Sequence, residues 1–210
     1  VATGKQAFAL TSCCPSWSVM AKNLFPETID KISNELTPMV ATARIIKEEH
    51  QEALVVFIGP CASKKLEASR RTIRSDVDFV ITFEELTGMF EAKGILLEEI
   101  KAMDTMQDAT AAGRGYGVAG GVASAIEECI HKYYPGTEVK IEHAESLAEC
   151  KKTLLLAKAG KKNGCLIEGM ACPGGCIAGA GTNIALPQAV KEVNKFKDAA
   201  AKKVPDLEEE

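Results

Sequence analysis

Three short cysteine motifs are the part of this sequence with the clearest capacity for chemistry. They read TSCCPSW from Thr11, GPCASKKLEA from Gly59 and EGMACPGGCIAGAG from Glu168, and they hold five of the eight cysteines. Each motif sets cysteine beside glycine or proline, which permit tight turns and a close approach of backbone to a cofactor. Neighbouring cysteines such as Cys13 and Cys14 cannot easily form a disulfide with each other. The pattern therefore indicates metal binding or redox chemistry.

Four of these cysteines match the ligand number of an iron–sulfur cubane. They are Cys14, Cys61, Cys172 and Cys176. A [4Fe–4S] cluster takes four thiolates, and a structural zinc ion can also take four. Zinc sites usually bring two short cysteine knuckles, whereas here two cysteines are isolated and only one short pair remains. The residues alone favour a cubane and leave zinc open as the alternative.

The remaining cysteines and the histidines carry a plainer interpretation. Cys129 and Cys150 fall on apolar faces of predicted helices, and Cys165 begins a predicted strand. Cysteine is often buried without any chemical role, so we expect these three to pack in the core. The three histidines lie at predicted helix ends or surfaces, and we expect them to be solvated and to ligate nothing. They are His50, His131 and His143.

Composition limits the broad class of the protein. The chain has 210 residues, 46% of them hydrophobic, enough for one large domain or two small lobes. A net charge of -4 gives no support to nucleic-acid binding. No apolar run is long enough to span a bilayer and no signal peptide is visible, so we predict a reducing, cytoplasmic compartment without disulfides. The chain starts at Val1 rather than methionine, and we expect it to be processed or part of a longer protein.

Strand-like and helix-like segments alternate between the motifs. Strands are predicted at 7–10, 53–58, 77–82, 137–143 and 165–171, with 53–58 (ALVVFI) as a buried central strand. Helices are predicted at 27–36, 38–50, 83–94, 120–134, 147–157 and 186–196, with a capping box at Thr82 and Glu85. This order predicts an α/β fold with mostly parallel sheet and flanking helices. Because the three motifs follow three strands, a cofactor cleft is expected at the carboxyl ends of the strands.

The three motifs resemble the signature motifs of the active-site domain of [FeFe] hydrogenases, in the same order and with similar separations. The resemblance runs from about Phe8 to Phe196 and covers only the later part of that domain. It assigns 1–200 to the C-terminal part of an H-cluster domain and leaves 201–210 as a polar, solvated tail. It implies reversible hydrogen chemistry, 2H+ + 2e− ⇌ H2.

The resemblance also implies a cofactor and its ligands. In the family, an H-cluster joins a [4Fe–4S] cubane through one cysteine to a two-iron subsite that carries CO, cyanide and a dithiolate. By motif, the cubane ligands are Cys14, Cys61, Cys172 and Cys176. Cys176 would also bridge to the two-iron subsite, Cys13 would relay protons, and Lys64 would hydrogen-bond a cyanide ligand. This explains the paired cysteines, since one binds iron while its neighbour keeps its proton and passes it on.

Further positions fall on the family's site or proton route. Ser33 and Glu67 are the expected additional catalytic residues. The residues expected to line the cofactor are Gly59, Pro60, Met170, Tyr116, Thr37 and Met39. Three positions depart from the family: Gly59 stands where methionine is usual, Met39 replaces a glutamine, and Ala180 replaces a glycine. We expect Gly59 to leave space, large enough for water.

Such departures resemble the sensory branch of the family, so we predict hydrogen sensing with slow turnover. The alternative is a non-catalytic [4Fe–4S] protein like the nuclear prelamin A recognition factor-like proteins. Cys13 and Lys64 favour the first, because a cubane alone needs neither. A zinc-binding structural module is the third possibility.

The resemblance also implies partners. They are H2 and protons, a ferredoxin-like electron donor or fused iron–sulfur domains, maturation proteins, and an upstream segment or companion chain. Maturation proteins build the two-iron subsite in the family. A chain made without them is therefore expected to hold at most the cubane.

Overall fold

Two small parallel sheets with flanking helices form the fold. The computed structural model describes residues 1, 3–71, 73, 76–101 and 108–206. Within these residues the strands are β1 (Ala9–Leu10), β2 (Val56–Ile58), β3 (Phe79–Ile81), β4 (Lys140–Glu145) and β5 (Cys165–Met170). The α-helices are α1 (Pro15–Leu24), α2 (Pro38–Glu49), α3 (Ser63–Ala68), α4 (Phe83–Ala92), α5 (Ala111–Arg114), α6 (Gly121–Tyr133), α7 (Leu147–Lys158) and α8 (Leu186–Asp198). Short 3-10 helices span Pro26–Lys31, Leu97–Glu99 and Cys176–Ala178.

Both sheets are parallel, which confirms the predicted α/β class. One has the strand order β1-β5-β4, and the other pairs β2 with β3. Leu10 of β1 lies opposite Ile167 of β5, and Met170 of β5 lies opposite Glu145 of β4. Because the strands run the same way, the segments that follow β1 and β5 leave from the same edge. The first and third cysteine motifs are brought together there.

The main core lies between the three-stranded sheet and helices α1, α6 and α7. Trp17 is fully buried, and its indole Nε1 donates a hydrogen bond to the Thr11 carbonyl at 3.0 Å. Around it pack apolar side chains that include Leu10, Leu154, Ile167 and Val122. The buried cysteines Cys150 and Cys165 belong to this core, as predicted from their apolar surroundings. Trp17 therefore fixes the start of α1, which directly follows Cys14.

Gly169 gives a direct test of this packing. A Cβ at that position would lie well inside the Trp17 ring, whereas a Cβ at Gly88 in α4 meets nothing within 4 Å. We expect Gly169→Ala to lower the free energy of unfolding by at least the 1–3 kcal/mol typical of overpacking, roughly. Gly88→Ala should instead stabilise the chain by about 0.5–1 kcal/mol, because alanine favours a helix. Urea denaturation of both variants measures this, and equal effects would contradict the packing described.

The two-stranded sheet differs from the prediction. The run ALVVFI was expected to form a buried central strand, but Val56 and Ile58 of β2 are exposed, and so is Leu54 just before the strand. On the other face Phe57 packs against a small core of Met39, Val40, Ala43 and Val77. A continuous apolar run predicts burial on both faces, and the described part of the chain covers only one of them.

The segment expected as a helix over 27–36 is also different. It forms a 3-10 helix over Pro26–Lys31 and then becomes extended. Ile32 forms a bridge with Leu10, and the Ser33 amide donates to the Leu10 carbonyl at 2.8 Å. Pairing with β1 therefore replaces further helical turns. The helical spacing of Ile29 and Leu36 was misleading, since both side chains are exposed.

The other helix predictions are confirmed to within a few residues. The capping box of α4 is present: the Glu85 amide donates to Thr82 Oγ1 at 3.2 Å, and the Thr82 amide donates to Glu85 Oε2 at 2.8 Å. Strand β4 begins at Lys140, three residues later than predicted. None of the helices that the structure describes combines the length and the apolar content that a membrane span needs.

The predicted solvated tail is exposed over its described part except at Val204. Val204 is buried against Ala112 of α5 and Ala125 of α6. The amides of Ala111 and Ala112 donate to the carbonyls of Lys202 and Lys203 at 2.8 and 2.9 Å. Residues 201–206 are thus held to the helices by backbone hydrogen bonds that a polar composition does not reveal. Residues 207–210 lie outside the described part of the chain.

Candidate functional site

The three cysteine motifs meet at one small cavity of about 30 Å³. Cys14 precedes α1, Cys61 lies between β2 and α3, and the third motif follows β5. The cavity is lined by Cys14, Cys61, Cys172 and Cys176, and also by Pro15, Ser16, Ser63, Met170, Ala171, Gly175 and Gly179. The four cysteines predicted as ligands thus converge from three separate segments of the chain.

Glycines make this convergence possible. Gly174 and Gly175 have φ values of 88° and 89°, a left-handed conformation that favours glycine. A Cβ at Gly175 would lie 2.6 Å from the Gly117 carbonyl oxygen. At Gly179 a Cβ would overlap the Pro60 carbonyl, so the backbones of the second and third motifs are in direct contact. The loop 172–176 can therefore turn both cysteines toward the cavity.

The thiols of the site influence one another. Burial, followed by the neighbouring Cys14 and Cys61, raises the pKa of Cys176 to about 12. Burial also raises the pKa of Cys172, again with Cys14 and Cys61 adding to the effect. Thiols packed this closely resist ionisation together unless a cation compensates them. The arrangement is thus suited to a positively charged metal group that binds them as thiolates.

The donor set of the cavity bears on which metal group it can hold. Within the described residues, no three His, Cys, Asp or Glu side chains lie close enough to hold a single metal ion. A zinc ion needs its four sulfurs at about 2.3 Å from one centre. A cubane binds each thiolate through a different iron and so takes four ligands that stand farther apart. The described residues thus hold no ready-made site for a single zinc ion, while the four cysteines match the number of thiolates that a cubane takes.

Cys13 lies beside this cavity but faces a different environment. It is partly buried and packs with the core residues around Tyr116, Met170 and Cys176. Burial, followed by the nearby Cys14, raises the pKa of Cys13 to about 11. This shift favours the neutral thiol, and the proton-relay role of Cys13 stays a prediction. Burial likewise raises the pKa of Tyr116, to about 12.

Lys64 and Glu67 form a buried ion pair next to Cys13. Lys64 Nζ donates to Glu67 Oε2 at 2.7 Å and to the Cys13 carbonyl at 3.4 Å. Thr37 Oγ1 donates to the other oxygen, Glu67 Oε1, at 2.9 Å. Thr37 is the N-cap residue of α2, yet its hydroxyl donates to Glu67 and does not cap the helix. The network joins α2, α3 and the first motif.

Other predicted site residues lie away from the cysteine cavity. Ser33 is exposed and shares with Glu67 and Thr37 a separate groove of about 200 Å³. Its hydroxyl accepts a hydrogen bond from the Glu35 amide at 3.2 Å. Met39 is buried in the small core under β2 and does not line the cysteine cavity.

The expected space at Gly59 is filled. A Cβ there would lie 2.9 Å from Cε1 of Phe57, so the Phe57 ring covers the position. Gly59 is itself buried, and its amide donates to the Ile81 carbonyl at 3.1 Å. The prediction of open space is therefore wrong, because an aromatic two residues earlier folds over the glycine. Pro60 contacts the third motif, since its carbonyl accepts from the Gly181 amide at 2.9 Å.

Several polar residues near the site were missed in the sequence. The hydroxyls of Ser16 and Ser63 hydrogen-bond to each other at the wall of the cavity. Glu168 is buried in β5, and His143 Nδ1 lies 3.6 Å from its Oε2 atom. His143 is exposed, as expected, with 46% of its side chain accessible, and its ring also lies beside this buried carboxylate. The available signal for Glu168 was a carboxylate inside the otherwise apolar strand CLIEGM.

Comparison with known proteins supports one family. Residues 1–180 match the protein-family model described as the iron only hydrogenase large subunit, C-terminal domain. The chain is 29% identical to the periplasmic [Fe] hydrogenase large subunit of Nitratidesulfovibrio vulgaris, over 81% of this chain and 50% of that protein. It is 28% identical to iron hydrogenase 1 of Clostridium pasteurianum, over 91% of this chain and 40% of that protein. The chain thus spans about half, or less, of the length of these relatives.

A second group of relatives has another role. The cytosolic Fe-S cluster assembly factor NAR1 of Kluyveromyces lactis is 33% identical over 48% of this chain and 21% of that protein. Among solved structures, a variant of the [FeFe]-hydrogenase HydA1 from Chlamydomonas reinhardtii matches with a TM-score of 0.65 and 20% identity. That match covers 95% of this chain and 68% of the other. At this identity the likeness concerns the fold alone, and it agrees with the parallel α/β architecture described above.

Proposed function

The chain belongs to the family of the iron only hydrogenase large subunit, C-terminal domain, and on this premise we propose that it holds an H-cluster and reacts with hydrogen. The observation that carries the proposal is the convergence of four cysteines from three motifs, with Cys13 and Lys64 beside them. A cubane requires only the four thiolates. The other two residues are those that hydrogen chemistry would use.

Lys64 is suited to hold an anionic ligand of the cofactor. Its ammonium has three N–H donors, and within the described residues two of them serve Glu67 and the Cys13 carbonyl. One donor remains for an anion such as cyanide. Glu67 fixes the direction of the ammonium, and Thr37 fixes Glu67 in turn. We propose that Glu67 and Thr37 act by orienting Lys64 through this network and do not contact the cofactor directly.

Cys13 is suited to hold and pass a proton. When bound, the two-iron subsite would supply the metal chemistry that exchanges electrons with hydrogen. The chain itself would supply a thiol whose Sγ keeps a proton, shielded from solvent by Tyr116 and the core around it. Ser33, on the exposed groove with Glu67, is the proposed outer end of a route to solvent.

We further propose slow, sensory reactivity. Met39 is a buried apolar residue where the family's efficient catalysts are expected to have glutamine, and the Phe57 ring covers Gly59 where they are expected to have methionine. Both changes remove groups that would tune the cofactor from outside its ligand shell. The electron donor, the maturation proteins and a cytoplasmic location remain proposals drawn from the same family.

Replacing Cys13 tests the proposal. The chain is reconstituted with iron and sulfide, then treated with a synthetic two-iron dithiolate complex, and exchange of D2 with water protons is followed. We expect measurable exchange, and a loss of about 10²- to 10⁴-fold in Cys13→Ala, as for removal of a proton-transfer group. Cys129→Ala, in α6 and outside the lining of the cysteine cavity, is the matched control and should keep wild-type exchange. Exchange in Cys13→Ala equal to the wild type would contradict the assigned role.

A second candidate is a non-catalytic role in iron–sulfur cluster assembly. It is favoured by the local similarity to NAR1, a cytosolic Fe-S cluster assembly factor, across nearly half of the chain. A chain of this kind would bind the cubane but would not bind the two-iron complex. Stable binding of iron and sulfide, with no uptake of that complex and no D2 exchange, would favour it over the first proposal.

A further inference from the structure

We infer that Glu168 is a positioning residue that holds the cysteine loop 172–176 in place and adds negative charge beside the cluster bound there. The inference rests on the proposed function only in assuming that a cluster binds. Glu168 lies in β5, four residues before Cys172, and is only 1% exposed. Nothing in the chemistry proposed above uses this buried carboxylate.

Glu168 is anchored to the start of helix α6. The Gly120 amide donates to its Oε1 atom at 3.1 Å, and the Ala123 amide donates to its Oε2 atom at 2.9 Å. These amides belong to the first turn of a helix, where N–H groups lack partners within the helix and the dipole favours an anion. The carboxylate thus joins β5 to α6.

The hydrogen-bond donors around Glu168 match its ionised form. Burial raises the pKa of Glu168 above its usual value, and the Ala123 amide, His143 and the Gly120 amide offset only part of that rise. The two amides can only donate, and His143 Nδ1 can donate as well. A protonated carboxyl would bring a hydrogen to a cluster of donors. In its ionised form, Glu168 places a negative charge close to Cys13 and Tyr116.

The segment before α6 is in turn hydrogen-bonded to the cysteine loop. The Ala119 amide donates to the Gly174 carbonyl at 3.1 Å, and the Ile177 amide donates to the Gly117 carbonyl at 3.2 Å. Val118 forms a bridge with Gly175 between these two bonds. The segment 117–119 thus borders the loop on both sides of Cys176. Movement at Gly120 would be transmitted to Cys176 through it.

A second carboxylate holds the loop directly. Glu145, at the end of β4, accepts a hydrogen bond from the Gly174 amide at 2.8 Å. The loop is therefore held from two sides, by Glu145 at Gly174 and by Glu168 through the segment 117–120. This arrangement explains why a loop rich in glycine can keep two cysteines fixed.

The test compares Glu168→Gln, Glu168→Asp and the control Glu142→Gln, all reconstituted with iron and sulfide. Glutamine keeps the size but removes the charge and turns an NH2 group toward a backbone amide. We expect the reduction midpoint potential of its cluster to rise and the cluster's electron paramagnetic resonance spectrum to change, since nearby charge and hydrogen bonds tune such clusters. Glu142 pairs with Lys162 near the surface of β4, and its variant should keep the wild-type potential.

Amide hydrogen exchange of the cluster-free chain separates position from charge. In Glu168→Gln and Glu168→Asp, exchange at Ala119, Gly120, Ala123 and Ile177 should speed up at least tenfold, because neither side chain can hold both amides as ionised glutamate does. Aspartate keeps the charge, so its cluster potential should stay nearer the wild type. Glu168→Gln with wild-type potential and exchange would overturn the inference while the proposed function stands. A wild-type chain that binds no cluster would overturn the proposed function and the charge effect. The amide exchange rates of the cluster-free chain would still show whether Glu168 holds the loop in position.

Discussion

Cys61→Ser is expected to abolish cubane binding almost completely, lowering the iron content from about four atoms per chain to below one. Cys61 is the only cysteine that the second motif contributes to the cavity, and it comes from the other sheet of the fold. We do not expect the neighbouring Cys13 to replace it, because Cys13 packs against the core around Tyr116. Iron and sulfide analysis after anaerobic reconstitution measures the effect.

Cys129→Ser is the matched control for this change. Cys129 is half-buried in α6 and lines a separate apolar groove of about 470 Å³ with Tyr133 and Pro205. The same substitution there should leave the iron content at the wild-type value. Full iron content in Cys61→Ser, or equal loss in both variants, would contradict the four-cysteine site.

Lys64→Met is expected to produce the largest loss of stability among single changes at the site. The side chains of Lys64 and Glu67 are only 9% and 3% exposed, so methionine would leave Glu67 buried with Thr37 as its remaining partner. Breaking a buried ion pair in this way costs about 3–5 kcal/mol in the free energy of unfolding. Urea denaturation of the cluster-free chain measures the loss.

Two further variants separate the ion pair from the loss of a lysine in general. Lys64→Met combined with Glu67→Met should recover most of the stability, because an apolar pair of similar volume needs no compensation. Lys65→Met, on the same helix, removes the exposed pair with Glu85 and should change stability little. A double variant as unstable as Lys64→Met alone would show that the carboxylate is not the cause.

The site was predictable from sequence where its position depends on topology. Cys14 and Cys172 follow parallel strands of one sheet, so alternating strands and helices are enough to bring them to one edge. Cys61 follows a strand of the second sheet, and its approach to the others depends on how the two sheets pack. The resemblance to the family's motifs predicted that Cys61 joins the other cysteines, since the order of the strands along the chain does not determine how the two sheets pack.

Other features could not be predicted because they depend on pairwise packing. The ring of Phe57 fills the space expected at Gly59, and no spacing rule indicates that an aromatic two residues earlier folds over a glycine. The ion pair of Lys64 and Glu67 has helical i,i+3 spacing, which predicts contact but not burial. Glu168 stood in an apolar strand, and its partners at Gly120 and Ala123 lie more than forty residues away.

Infrared spectroscopy tests the central claim most directly. The anaerobic chain is reconstituted with iron and sulfide, treated with a synthetic two-iron dithiolate complex that carries CO and cyanide, and freed of unbound complex. Protein-bound CO and cyanide bands that shift under H2 are the predicted result, and the Cys61→Ser variant should lack them. A wild-type chain that binds iron and sulfide but shows no such bands would contradict the assignment of an H-cluster and leave a cubane protein.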